Sequence, residues 1–122
     1  MKIWFDGGCR PNPGAIETAV VAAGQAHLRT DHGPGDNADA EWLALLDALA
    51  LAGTLGLNEV VLLGDSMMVV DHVRGCARRL PARFEGYVAR YRLLAAGFAR
   101  VRVRHVARSH NLAGIVLQRG WA

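Results

Sequence analysis

The chain reads as an α/β domain built on a mixed sheet, and three observations lead there. A trio of strand-like segments opens the sequence, strand and helix signals then alternate to its end, and one interior run, Val60-Val61-Leu62-Leu63, is apolar without a break. An unbroken apolar run of that length suits a central parallel strand covered on both faces, and the alternation supplies the helices that cover it. The 122 residues amount to a single domain, 1–122, large enough to bury a core without staples. With 52% apolar and 20% charged residues, the composition is that of a soluble globule, neither disordered nor membrane-spanning.

The elements follow in order. Residues 2–6 form a short buried strand ending at Asp6, and Gly7-Gly8-Cys9-Arg10-Pro11-Asn12-Pro13-Gly14 is a turn-rich loop. The β-branched, apolar stretch 18–23 and the weakly alternating stretch 25–30 continue as a meander. The spacing of Trp42, Leu45, Leu46 and Leu49 predicts a helix over 38–52, capped by Asp36 or Asn37 and stopped by Gly53. The run at 60–63 ends at Gly64-Asp65-Ser66, where a short helix starts and reaches Val73. Pro81 opens another helix with an apolar stripe of Phe84, Tyr87, Val88, Tyr91, Leu94 and Ala95. Residues 100–106 alternate, with Val101 and Val103 on one face and Arg100, Arg102 and Arg104 on the other. Three like charges on one strand face suit phosphate binding, and equally an edge strand guarded against aggregation. Residues 111–118 make a last short helix capped by Ser109 or Asn111.

Charge is divided along the chain. Residues 1–73 hold three basic residues against ten acids, a net of −7, whereas residues 74–122 hold eleven arginines against Glu85 alone, a net of +10. That split suggests a nucleic-acid partner, phosphates drawn to the basic half and metal ions to the acidic half. Arginine-rich, alanine-rich codon usage would give a similar composition. No run of about 18 uncharged apolar residues suggests a membrane helix, and the start is too short an apolar run for a signal peptide. Cys9 and Cys76 lack metal-type spacing and are too few for a disulfide framework, so a reducing cytoplasm is the expected compartment.

Three acids stand at element ends: Asp6 and Asp65 at the carboxyl ends of neighbouring strands, Glu41 near the start of a helix. Open α/β sheets place ligands at that edge. Each acid alone has an ordinary reading, as turn former, helix cap or favourable charge at a helix N-terminus. Together, with few basic residues nearby, they would repel unless cations join them. Two Mg²⁺ or Mn²⁺ ions about 4 Å apart could serve an in-line displacement at a phosphodiester.

Four blocks in order then resemble the type 1 ribonuclease H family, in its compact form without a basic protruding helix. They are IWFDGGCRPNPG, with the first aspartate and an Asn-Pro-Gly loop; Asn37-Ala38-Asp39-Ala40-Glu41-Trp42, around the glutamate; LLGDSMMVV, with an Asp-Ser pair; and HVARSHNLAG, like the family's His-Val-Pro-Arg and Asn-x-x-Ala-Asp ending. The resemblance covers nearly the whole chain. It implies a ribonuclease H-like fold, a five-stranded mixed sheet of order 3-2-1-4-5 with flanking helices. It also implies endonucleolytic cleavage of the RNA strand of an RNA–DNA hybrid, leaving a 5′-phosphate and a 3′-hydroxyl. Asp6 would bridge two metal ions when substrate is bound, with Glu41 and Asp65 completing the set. Gly7, Gly8, Cys9, Asn12, Asn37, Ser66 and Arg108 would contact the substrate, and 2′-hydroxyls would tell RNA from DNA. No protein partner and no membrane are implied.

The chain departs from the pattern in places. Gly114 follows Ala113 where the family has its last aspartate, and no carboxylate side chain follows Glu85. His110 is either a nitrogen ligand or proton shuttle, or an exposed loop histidine. Met67 stands where many relatives have a polar residue, and Ala15-Ile16-Glu17 replaces a Gly-rich strand entry. The expected functions are therefore a metal-dependent ribonuclease H of reduced activity, or a catalytically inactive module that binds hybrid or other nucleic acid. A related nuclease on another nucleic acid and a purely structural domain complete the range.

Overall fold

In the computed structural model, which describes residues 1–77 and 79–120, strands β1 (Lys2–Cys9), β2 (Gly14–Ala22) and β3 (Gln25–Arg29) form an antiparallel meander. A two-residue strand β4 (Pro34–Gly35) leads into α1 (Asn37–Thr54), followed by β5 (Glu59–Gly64), α2 (Met67–Val73), a 3₁₀ turn (Ala82–Phe84) and α3 (Glu85–Ala95). Strand β6 (Arg100–His105), a second 3₁₀ turn (Arg108–His110) and α4 (Leu112–Gly120) complete the chain. The sheet order is β3-β2-β1-β5-β6, with β1, β5 and β6 parallel, so the five long strands lie in the expected order. The added β4 pairs with the start of β2 through Gly14 and Ala15.

Alternation along the central strands divides the interior into two layers. Ile3, Phe5, Val20, Ala22, Leu62 and Val103 point to the side covered by α1, α2 and α3. Ala19 and Val21 point to the other, where α4 lays Ala113 and Leu117 against them. Helix α1 approaches the sheet closely because Ala40, Ala44, Ala48 and Ala52 recur every four residues, all fully buried. Trp42 fills the space between helices, its ring 6.0 Å from Tyr87 and nearly parallel to it, and 5.9 Å from Phe84. No described helix is long and apolar enough to cross a membrane.

Several boundaries differ from the sequence expectation. Strand β1 does not end at Asp6 but continues to Cys9, paired antiparallel with β2 through Gly7↔Thr18, Gly8↔Glu17 and Cys9↔Ile16. Only its parallel pairing with β5 stops early, at Trp4↔Leu63. Gly7 is there for packing rather than turning: a Cβ on it would overlap the Ala40 carbonyl of α1. Helix α1 runs through Gly53, and the stop is Gly56, whose φ of 71° is the left-handed conformation glycine adopts freely. Pro81 precedes a 3₁₀ turn, and α3 proper starts at Glu85. Helix α4 starts at Leu112, with Asn111 as its cap residue: its side-chain oxygen accepts from Ala113 N at 3.1 Å.

Candidate metal and nucleic-acid site

The expected trio converges. Asp6 leaves β1 just beyond the last residue paired with β5, Asp65 follows the end of β5, and Glu41 stands in the second turn of α1. One carboxylate oxygen from each lies within 4.8 Å of the others, the only such group of metal-ligating side chains among the described residues. Asp6 is therefore internal to its strand, not at its end, yet still reaches the edge where β5 has stopped.

The surroundings hold the carboxylates in place. Gly7 N donates to Glu41 Oε1 at 2.9 Å, an approach that the missing Cβ permits. Cys9 N donates to Asn37 Oδ1 at 2.9 Å, and Asn37 N to Asn12 Oδ1 at 3.0 Å, so the β1–β2 turn is tied to the first residue of α1. Asp36 caps that helix reciprocally with Asp39, the capping-box arrangement. Ser66 Oγ accepts from Val69 N at 3.3 Å and starts α2. Asn111 is fully buried, and its amide donates to Phe5 O at 3.0 Å and to Asp65 Oδ2 at 2.9 Å.

Electrostatics favour a cation here. Burial pushes the Glu41 carboxyl up to about 9, with the Asp6 charge as the next cause. Burial also raises the Asp6 pKa, with contact to Glu41 offsetting part of the rise and Asp65 adding to it. Asp6 Oδ1 and Glu41 Oε2 are buried without a hydrogen-bond partner. The nearest cation, Arg108, stands 3.5 Å from Asp65 and 3.9 Å from Asp6 Oδ1, too far to satisfy the latter, and its side chain is 66% exposed. Carboxyl oxygens gathered this closely, with their charges disfavoured by burial and by one another, are a donor set that suits a divalent cation such as Mg²⁺ or Mn²⁺.

Asp6, Gly7, Gly8, Cys9, Asn37, Glu41, Asp65, Ser66 and Arg108 line one cleft of about 400 Å³. Asn12 does not line it and acts on it only through Asn37. His110 is exposed in the second 3₁₀ turn, outside both the lining and the carboxylate group. Met67 is half exposed at the start of α2. Gly114 does border the site: a Cβ there would stand 3.4 Å from Asp6 Oδ2. Four residues beyond Asn111, the spacing of the Asn-x-x-Ala-Asp ending, is Ile115, which is 37% exposed. Asn111 itself was expected only as a helix cap. Its link to Asp65 has no local sequence signal, because the partner is 46 residues away.

Residues 15–117 match a family described as Reverse transcriptase-like. A Ribonuclease HI of Halobacterium salinarum is 30% identical over 116 residues, 91% of this chain but 58% of that protein, so the chain spans well under two thirds of the curated relative. The crystal structure of RNase H1 from the same archaeon superposes with a TM-score of 0.82 at 30% identity, covering 95% of this chain and 92% of the other. The chain belongs to the type 1 ribonuclease H family. A ribonuclease H1 from a compost metagenome, solved in complex with an RNA/DNA hybrid, shares the ribonuclease H fold at 20% identity, with a TM-score of 0.80 and 99% of each chain covered.

Proposed function

We propose that this chain, as a single domain, is a metal-dependent endonuclease that cleaves the RNA strand of RNA–DNA hybrids. The observation that carries the reading is the convergent carboxylate trio, Asp6 buried and Glu41 and Asp65 half-buried, set in a cleft lined by backbone and by short polar side chains. Asp6, Glu41 and Asp65 would hold the ions. Two divalent ions, when bound, would activate water for attack on the phosphodiester and stabilise the departing oxygen. The chain's own residues do the positioning. Gly7 N–H and Asn111 fix the Glu41 and Asp65 carboxylates. Asn37 and Ser66 offer short polar groups to the 2′-hydroxyls that distinguish RNA. Arg108, exposed beside Asp65, is free to turn toward a phosphate. The unpaired Cys9 and Cys76 suit a reducing cytoplasm.

A second reading, a hybrid-binding module without catalysis, is favoured by one feature: α4 brings no carboxylate to the site. A labelled RNA–DNA hybrid incubated with Mg²⁺ or Mn²⁺ separates the two, with Asp6→Asn as the inactive control. Products bearing 5′-phosphates, absent from the control, support the enzyme. Intact hybrid at high protein concentration, with binding retained, rejects it. Gly114→Asp and Ile115→Asp, run in parallel, locate the missing fourth ligand, whichever raises the rate.

A further inference from the structure

We propose that the free edge of β6 carries a second nucleic-acid site, a groove that takes a single-stranded extension of the hybrid as it leaves the cleft. The proposal rests on the reading of the cleft as a hybrid site. The groove, of about 650 Å³, is lined by Val73, Arg74, Tyr91, Val101, Val103 and the cations Arg102 and Arg104, with His105 at its active-site end.

Strand β6 is terminal in the sheet, so its outer backbone edge has no neighbouring strand. Among the described residues, no acid lines the groove. Among the described residues, the side chains of Arg74, Arg102 and Arg104 have no hydrogen-bond or ion-pair partner. Unpaired, clustered guanidiniums repel one another and gain a partner when a polyanion arrives. Arg102 and Arg104 recur two residues apart, a spacing of about 6.6 Å along the strand that an extended sugar–phosphate chain can follow. Beside the arginines the lining offers Val73, Val101 and one aromatic ring, Tyr91, a surface on which an unstacked base can rest. A duplex would present only phosphates to such a surface.

Continuity with the cleft favours nucleic acid over an acidic peptide. His105 pairs with Gly64, the residue before Asp65, and Arg108 reaches Asp65 from just beyond the end of β6. Arg102 and Arg104 thus lie on the strand that ends beside the carboxylates, with Arg108 just beyond it. The guarding of an exposed edge against aggregation accounts for charge on β6 but not for Arg74, which belongs to the end of α2.

The test measures binding of three probes by fluorescence anisotropy: a blunt RNA–DNA hybrid, the same hybrid with an oligothymidylate tail, and oligothymidylate alone. The proteins are the unaltered chain, Arg102→Ser/Arg104→Ser, and the charge-matched control Arg90→Ser/Arg119→Ser, whose arginines lie outside the groove. In the unaltered protein the tail raises affinity at least five-fold. In the groove variant that gain falls below two-fold, and the slope of log affinity against log salt drops by about 1.4, two phosphates at about 0.7 each. Blunt-hybrid binding and cleavage change less than two-fold. If the serine pair aggregates, Arg102→Gln/Arg104→Gln replaces it. An equal tail effect in both proteins, an equal loss in the control, or displacement of oligothymidylate by poly-glutamate at matched charge overturns the proposal. Failure of the unaltered protein to bind blunt hybrid refutes the cleft reading instead, while oligothymidylate alone still reports on the groove.

Discussion

Replacing Glu41 by glutamine should stabilise the metal-free protein, and by an amount that grows with pH. The folded chain keeps the Glu41 proton until about pH 9, whereas an unfolded glutamate releases it near its ordinary value of 4.5. Between those limits the folded state holds one proton more than the unfolded state, so stability falls as pH rises, by about 1.4 kcal/mol per unit. Glutamine copies the neutral carboxyl, still accepts from Gly7 N–H, and has no proton to lose. The stability gap between Glu41→Gln and the unaltered chain should therefore widen by up to about 3 kcal/mol from pH 5.5 to pH 7.5. Urea denaturation in the presence of a chelator at the two pH values measures it. Adding Mn²⁺ at pH 7.5 should narrow the gap, because the cation replaces the proton on Glu41 in the unaltered chain only. A gap constant to within about 0.5 kcal/mol across this range would refute burial of Glu41 as the source of the site's tension.

Cation binding at pH 7.5 should release protons, detectable with an indicator dye in weak buffer, and the release should vanish at pH 10, above the Glu41 transition. Asn111→Ala removes the amide that donates to Phe5 O and Asp65 Oδ2, leaving Asp65 with only the longer contact to Arg108; a loss of about 1–3 kcal/mol is expected in thermal or urea unfolding, with weaker Mn²⁺ binding by calorimetry. Gly7→Ala places a methyl against the Ala40 carbonyl and should cost more than about 2 kcal/mol, whereas Gly24→Ala, where a Cβ meets nothing but φ is 75°, should cost about 1 kcal/mol. Asp36→Ala removes the α1 cap, a loss of about 1 kcal/mol at neutral pH. Hydrogen bonding to the Asp39 backbone holds the Asp36 carboxyl below its ordinary pKa of 3.8, so that contribution is present above this value and should disappear as pH falls through the lowered one.

Much of this architecture was legible in the sequence, for identifiable reasons. Val60–Leu63 had the unbroken apolar character of a covered strand, and the leucines of α1 marked its inner face. The order of long strands and the meeting of Asp6, Glu41 and Asp65 followed from topology and from the family resemblance. What escaped depends on tertiary contact. Gly7-Gly8 has the composition of a turn, and only the Ala40 carbonyl lying against Gly7 explains why glycine is needed inside a strand. Gly53 and Gly56 are equivalent as helix stops on paper; backbone conformation selects the second. His110 shares a loop with Arg108, yet only the arginine points at the acids. Asn111 showed its capping role locally and concealed its reach to Asp65.

That reach makes the last helix an organ of the chemistry as well as of the scaffold. A single amide bolts the beginning of α4 to the backbone of β1 and to one carboxylate at once. Heat or solvent that frays α4 would slacken the grip on the ion while the larger layer beneath α1 is still intact. Affinity for the cation should then fade at temperatures where the rest of the molecule has yet to melt.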